Sequence, residues 1–515
     1  MQAINRVVKN TVILYARMAI TVGISLYSTR LILNALGVSD FGLYTLVAGA
    51  IAVFGFLNAS MSAATQRFIS YAQGAGNSEE VNKIFNMSIL LHAGVAILAV
   101  IILEFIGFIL FSYVFKIQES RIFIGQVVFQ FMIIGAFFTI LSVPYEAVIT
   151  SHENMFFFAF LSVFEAIIKL GIAIYISYSS NDHLFYYALL IAILSFLLLL
   201  LRVFYCNKKY NECVINVNKN FDKKLLKEMT SFAGWSLLGY SSTMISFYGQ
   251  GVVINMFFNT IVNAAQGLTN QISGQLGAFA TTMMKTVNPI IDKSEGSGNR
   301  EMMLKITLTS SKASFFLMTL FYIPFILEMP FILKIWLKEI PDFTIIFCQL
   351  LLMRNLIEQF SFPLWYAISA QGNIRLYQIW VFFISFSPLL ISALFFQLGF
   401  QPYVLYIINL IYSFVFLALT LFFAIKNCQL SFSVFLNEVF YRCIISFILI
   451  FIVAIIPKIF LQEGIFRLFV IAIWSTILLL IALRFCGLTN EERLKIRELL
   501  NGEKFRFLKK IIKFV

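Results

Sequence analysis

Histidine is almost absent from this chain, with three in 515 residues. The six cysteines, at 206, 213, 348, 428, 443 and 486, form no C-x-x-C pair. Without clustered ligands no metal site is expected, and such scattered cysteines make no disulfide framework. No G-x-x-x-x-G-K-[ST] stretch is present to cradle a nucleotide phosphate, so ATP hydrolysis is not expected and no cofactor is implied. Charge is the deepest deficit. Only 12% of residues are charged, against 60% hydrophobic and 17% aromatic. So little polar surface cannot clothe a water-soluble body, which leaves an all-α polytopic membrane protein.

In place of charge stand long apolar runs. Fourteen spans are predicted, near 11–34, 43–71, 84–112, 122–149, 156–178, 184–205, 230–254, 266–291, 306–327, 345–369, 376–397, 403–425, 443–461 and 468–486. The first follows "NRVVKN" and exceeds a signal-peptide core, so it reads as a retained helix. Acids are scarcer than bases, 25 against 38, giving a net charge of +13. With the N-terminus inside, 25 Lys and Arg fall on cytoplasmic segments and 6 on outer ones. This positive-inside asymmetry puts both termini in the cytosol and accounts for the basic charge without nucleic acid.

The tail fits that placement. "LTNEERLKIRELLNG" opens on a Thr489/Glu492 capping box and stops at Gly502. Beyond it, Phe505, Leu508, Ile512 and Val515 share a helical face among Lys504, Lys509, Lys510 and Lys513. That pattern predicts an interfacial helix on an anionic leaflet, with a frayed tail as the alternative.

One stretch occurs twice. In "SYAQGAGNSEEVNKI" (70–84), Gly74, Gly76, Asn77, Glu79, Lys83 and Ile84 fall on Gly296, Gly298, Asn299, Glu301, Lys305 and Ile306 of "DKSEGSGNREMMLKI" (292–306). The shift is 222 residues, and it also aligns Gly55 with Gly277 and Thr21 with Thr243. Six helices plus the linker "NKKYNECVINVNKNFDKKLLKEM" fill that offset. Six is even, so the halves share one orientation about a pseudo-twofold along the membrane normal. The predicted organisation is an N-lobe over 1–205, a basic linker over 206–229, a C-lobe over 230–425, two further helices over 426–487 and a basic tail over 488–515. Paired lobes of this kind rock about a central cavity to give alternating access.

Intramembrane charges mark candidate sites, because each is costly at depth and needs a cavity or a partner. The bases are Arg17, Arg30, Arg67, Lys169, Lys285, Lys312 and Arg354; the acids are Glu104, Glu146, Glu165 and Glu358. Glu165/Lys169 and Arg354/Glu358 are i,i+4 pairs, read as structural glue with ion coupling as the lesser role. Glu104 lacks an intrahelical partner and is the first acid to test for proton coupling, with a partner on another helix as the equal alternative. Polar stripes at helical spacing predict cavity-lining faces: Arg17 and Thr21 on span 1, Asn58 and Thr65 on span 2. Span 7 carries Ser242, Ser246 and Gln250, and span 8 carries Gln271, Gln275, Thr282 and Lys285. Close helix packing explains the small residues equally well, but not Arg17 or Lys285. Two readings remain for Arg17, Arg67, Lys285 and Lys312: snorkelling to the inner interface, or a cationic vestibule for an anion.

Several stretches resemble the Wzx-type O-antigen and polysaccharide flippases of the MOP exporter superfamily. They are residues 14–70, with "LYARM", "LYSTRLILNALGVSDFGLYTLVAGA" and "TQRF"; "VPYEAVITSHENMFFFAFLSVFEAIIKL" (143–170); "GQGVVINMFFNTIVNAAQGLTNQI" (249–272); "NPIIDKS" (288–294); and "WLKEIP" (336–341). The resemblance implies a fourteen-helix flippase in the bacterial inner membrane that moves undecaprenyl-diphosphate-linked oligosaccharide, with helices 1, 2, 7 and 8 around the cavity. It implies basic residues meeting the diphosphate, and Arg17, Arg30, Arg67, Glu165 and Lys169 match positions expected to matter, with Lys285 where basic character fits; Lys312 joins the cationic set through the vestibule reading alone. One departure is Glu146 in "PYEA", where a neutral polar residue is expected. The partners implied are the lipid-linked oligosaccharide, membrane lipids and the polysaccharide polymerase machinery, with a monomer as the working unit. A drug or organic-cation antiporter of the same superfamily is the alternative, disfavoured by the excess of bases. A membrane polymerase or ligase ranks below both, because outer segments such as "EMPFILKIWLKEIPDF" are short.

Overall fold

The computed structural model describes residues 2–52, 55–114, 119–258, 260–337 and 339–494, and among them it is helical with no strand. Fourteen long helices follow one another. We number them α1 (Gln2–Ala52), α2 (Gly55–Gly74), α3 (Ser78–Ile109), α4 (Glu119–Ser151), α5 (Met155–Tyr178), α6 (His183–Lys209) and α7 (Lys223–Phe257). Then come α8 (Thr260–Gly296), α9 (Arg300–Trp336), α10 (Thr344–Gln371), α11 (Arg375–Gln397), α12 (Val404–Cys428), α13 (Tyr441–Ala454) and α14 (Ile465–Ala482).

Local chemistry sets their ends. Asn77, Asn154 and Asp182 cap α3, α5 and α6, each side chain accepting a backbone N–H three residues on. Helix α1 bends sharply at Gly37, whose φ of 72° a side chain would strain. Helix α9 departs from helical geometry at Glu328, between Pro324 and Pro330. The sequence predicted a loop from Glu328 onward; the helix instead resumes to Trp336. Glu328 is buried there and accepts from Arg467 of α14 at 2.8 Å, a partner that lets an acid sit inside.

Among the described residues, eleven segments are long and apolar enough to cross a membrane. The helices outside that set are α2, α7 and α8, which carry three of the four predicted polar stripes. Their polar residues lower the mean hydropathy while their length stays ample, at 20, 35 and 37 residues. Elsewhere the surface is openly greasy, with Phe105, Phe123, Phe204, Phe466 and Phe485 all more than 60% exposed, as lipid contact allows.

The chain divides into two compact units, Met1–Ser241 with Lys285–Asn299, and Ser242–Met284 with Arg300–Val515. The first part of α7 and the last part of α8 group with the first unit, and a glycine contact ties the end of α8 into it. The backbone of α2 meets that of α8 so closely that a Cβ on Gly74 or Gly296 would strike the other helix. The first unit has one apolar layer around Phe85, Tyr145, Val148, Met155 and Cys206, and another around Leu43, Val128, Phe129 and Tyr187. The second unit packs Ile254, Phe347, Leu351, Leu405 and Tyr406 between α7, α10 and α12, with α13 and α14 laid against α9.

The repeated stretch folds identically both times. Ala75, Gly76 and Asn77 donate to the carbonyls of Tyr71, Gln73 and Ala72; Ser297, Gly298 and Asn299 donate to those of Lys293, Glu295 and Ser294. Gly76 and Gly298 both have φ of 74°. Each acceptor and donor is displaced by the same 222 positions.

The segment between α6 and α7 is short and fastened. Asn82 donates to Glu212 O at 2.8 Å, while Asn86 donates to Val214 O at 3.1 Å and accepts from Asn216 N at 2.8 Å. Two asparagines one turn apart on α3 thus replace the missing backbone partners of this stretch. The Thr489/Glu492 capping box is formed, with reciprocal bonds of 2.9 and 3.3 Å. The tail from 495, including Phe505, Leu508, Ile512 and Val515, lies outside the described residues.

Candidate anion-binding site

The first unit gathers charge around one aromatic ring. Arg17 comes from α1, Phe158 and Ser162 from α5, and Lys285 from α8. The Arg17 Cζ lies 5.3 Å from the Phe158 centroid and the Lys285 Nζ 5.2 Å from the same centroid. A ring's electron-rich face attracts cations by about 0.5–2 kcal/mol each, enough to hold two like charges near one point while leaving them unneutralised. Thr11 and Thr286, 3.2 Å apart through their hydroxyls, tie α1 to α8.

Neither cation is paired. Arg17 donates to Ser162 Oγ at a long 3.4 Å, and its Nε has no partner. Neither Arg17 nor Lys285 makes an ion pair among the described residues, and the Lys285 side chain is exposed. Glu146 of α4 is close enough to interact electrostatically with both. It is nonetheless engaged elsewhere, 3.7 Å from an Nη of Arg202 on α6, whose other Nη donates to Ser142 Oγ at 3.3 Å. Three cations and one carboxylate leave the group positive, and such an arrangement accepts a multivalent anion.

The other predicted bases have surroundings of their own. Arg30 is thirteen residues further along α1, roughly 20 Å at the helical rise, exposed and without an ion pair among the described residues. Arg67 is buried over the rings of Phe68, Tyr71 and Phe232, within electrostatic reach of Asp292, Glu295 and Glu228. Lys312 belongs to the second unit, where it is buried and pairs with Glu492 at 2.6 Å. The same Glu492 oxygen accepts from the backbone N–H of Thr489, so one carboxylate caps the tail helix and neutralises Lys312.

Among the polar candidates, Thr21 donates to the Arg17 carbonyl at 2.9 Å. Thr65 is buried against Ser88 at 3.0 Å, and Ser88 in turn meets His92. Asn58 is half-buried. In the second unit Ser242, Ser246 and Thr282 are buried, and Gln271 and Gln275 are exposed. Gln250 there exchanges two hydrogen bonds with Asn409, at 3.2 and 3.4 Å. The i,i+4 pairs both form: Lys169 donates to Glu165 at 2.7 Å, and Arg354 bonds Glu358. Glu104 accepts from Gln130 of α4 at 3.0 Å, a partner on another helix. Two residues of the site escaped the sequence. Arg202 lies 56 positions from Glu146, close to the basic linker, and Phe158 is one phenylalanine in a run of them.

No protein-family sequence model matches this chain, and no curated protein sequence matches it. Solved structures do. The crystal structure of a mutant MATE protein superposes with a TM-score of 0.71 at 15% identity, covering 82% of this chain and 96% of that one. The chain has the MATE fold. A MOP superfamily transporter from Pyrococcus furiosus, whose binding pocket is described as reversed in polarity and suggestive of a different function, gives 0.71 at 14% identity over 83% and 96%. An outward-facing multidrug resistance MATE family transporter of the same superfamily gives 0.68 at 14% identity over 82% and 95%. At these identities it is the MATE fold that is shared, and with it a multi-pass helical architecture. Which molecule a MATE fold carries is decided by its side chains.

Proposed function

We propose that this protein is a flippase for a lipid-linked anion, namely an oligosaccharide on undecaprenyl diphosphate, working by alternating access in a bacterial inner membrane with both termini cytoplasmic. The supporting observation is the unpaired Arg17 and Lys285 at the Phe158 ring. Uncompensated cations in a mostly apolar body are costly, most of all for the half-buried Arg17. Their retention is explained by a ligand that neutralises them. A diphosphate offers several acceptor oxygens, suited to a guanidinium fork beside an ammonium. The prenyl tail would remain in lipid.

The MATE neighbours favour a second reading, export of an organic cation. It calls for a site rich in free acid, whereas Glu146, the acid beside Arg17 and Lys285 among the described residues, is engaged by Arg202. The Pyrococcus furiosus transporter is a precedent for departures in pocket polarity on this fold. In reconstituted vesicles, Arg17→Ala and Lys285→Ala should each slow translocation of a fluorescent prenyl-diphosphate sugar at least tenfold with protein yield unchanged. Wild-type rates in both variants would overturn the assignment.

A further inference from the structure

We infer that Arg202 is a positioning residue that keeps the site cationic by holding Glu146 away from Arg17 and Lys285. This rests on the anion-site reading above. Glu146 is the carboxylate in electrostatic reach of both cations, and Arg17 and Lys285 are unpaired although it is present. Left alone, a carboxylate in a poorly solvated setting moves to the nearest cations, because the attraction strengthens as water is removed. It would then occupy the place of the substrate's phosphate.

The geometry prevents that collapse. Ser142 and Glu146 are i,i+4 on α4, so they present side chains on one face. Arg202 spans both with its two Nη atoms, at 3.3 Å to the Ser142 hydroxyl and 3.7 Å to the Glu146 carboxylate. Ser142 is itself fixed, donating to Thr139 O at 2.8 Å. The Arg202 side chain is 16% exposed and that of Glu146 31%, so the pair borders open space while its cation is held by packing. A guanidinium anchored at two points is a poor partner for mobile phosphate and a good tether for a carboxylate. The division of labour follows: Arg17 and Lys285 meet the substrate, and Arg202 restrains the competing acid.

Binding of farnesyl diphosphate to the purified full-length protein in detergent tests this. Arg202→Gln should weaken binding at least tenfold by releasing Glu146, and the double variant R202Q/E146Q should recover to within threefold of wild type. Glu146→Gln alone should bind at least as tightly as wild type. A purely structural bridge between α4 and α6 gives the opposite pattern, with E146Q as weak as R202Q and no recovery in the double variant. Unchanged binding in R202Q, or failure of the double variant to recover, overturns the role given to Arg202. Absence of farnesyl diphosphate binding by the wild type would overturn the anion site itself, and the inference with it.

Discussion

Gly74 and Gly296 each lie against the backbone of the other's helix. A Cβ on Gly74 would stand 2.7 Å from Lys293 Cα, and one on Gly296 would stand 2.9 Å from Tyr71 Cα. The two contacts are the same contact seen from either side, since 74 to 296 and 71 to 293 are both steps of 222. A local twofold therefore relates the ends of α2 and α8, and glycine is required at its crossing because no side chain fits.

Gly74→Ala and Gly296→Ala are accordingly expected to destabilise the protein by about 1–3 kcal/mol each, the cost of overpacking a tight contact. Gly171, with open space around its Cβ direction, is the control, and G171A should be neutral or slightly stabilising. Thermal unfolding of the purified variants checks this. Equal midpoints for G74A and G171A would remove the close-contact explanation.

Lys312 and Glu492 should behave as a structural pair. Removing one member of a buried pair costs about 3–5 kcal/mol, discounted here because the Glu492 side chain is 17% exposed. Lys312→Met should lower the unfolding midpoint yet leave farnesyl diphosphate affinity within twofold of wild type. A large loss of affinity in a well-folded Lys312→Met protein would return Lys312 to the binding site.

At the opposite end of the first unit, Arg121 bonds Asp40 and Asp182 together. Burial pushes the Asp182 carboxyl upward, but the Phe185 backbone N–H and the Arg121 guanidinium outweigh it and hold its pKa below the ordinary value. An acid that ionises more readily folded than unfolded adds stability fully present above the unfolded pKa of about 4, and lost as pH falls through the folded one. Asp182→Asn keeps a capping oxygen and removes the charge. Its unfolding midpoint should fall below wild type at pH 6 and converge with it towards pH 3. A gap that does not narrow at all between pH 6 and pH 3 would assign the effect to the cap alone.

The sequence exposed those features that rest on local periodicity. Apolar runs located the fourteen helices, the i,i+4 spacing paired Glu165 with Lys169 and Arg354 with Glu358, and the capping box at Thr489 formed as expected. Arg17 and Lys285 stood out because charge inside an apolar run is conspicuous in one dimension. What their neighbours do is a matter of three dimensions. Glu104 meets Gln130, Lys312 meets Glu492 and Glu146 meets Arg202, each across two helices whose approach no spacing encodes. A basic residue read singly looks like a ligand site; it takes the packing to show that Arg67 and Lys312 stand beside acids.

The most direct measurement sets two cargoes side by side in vesicles containing the purified protein: a fluorescent undecaprenyl-diphosphate oligosaccharide and a lipophilic organic cation. The expected result is translocation of the diphosphate lipid, lost when Arg17 and Lys285 are both replaced by Gln, with no cation export. Export of the cation while the diphosphate lipid stays on its original leaflet would contradict it.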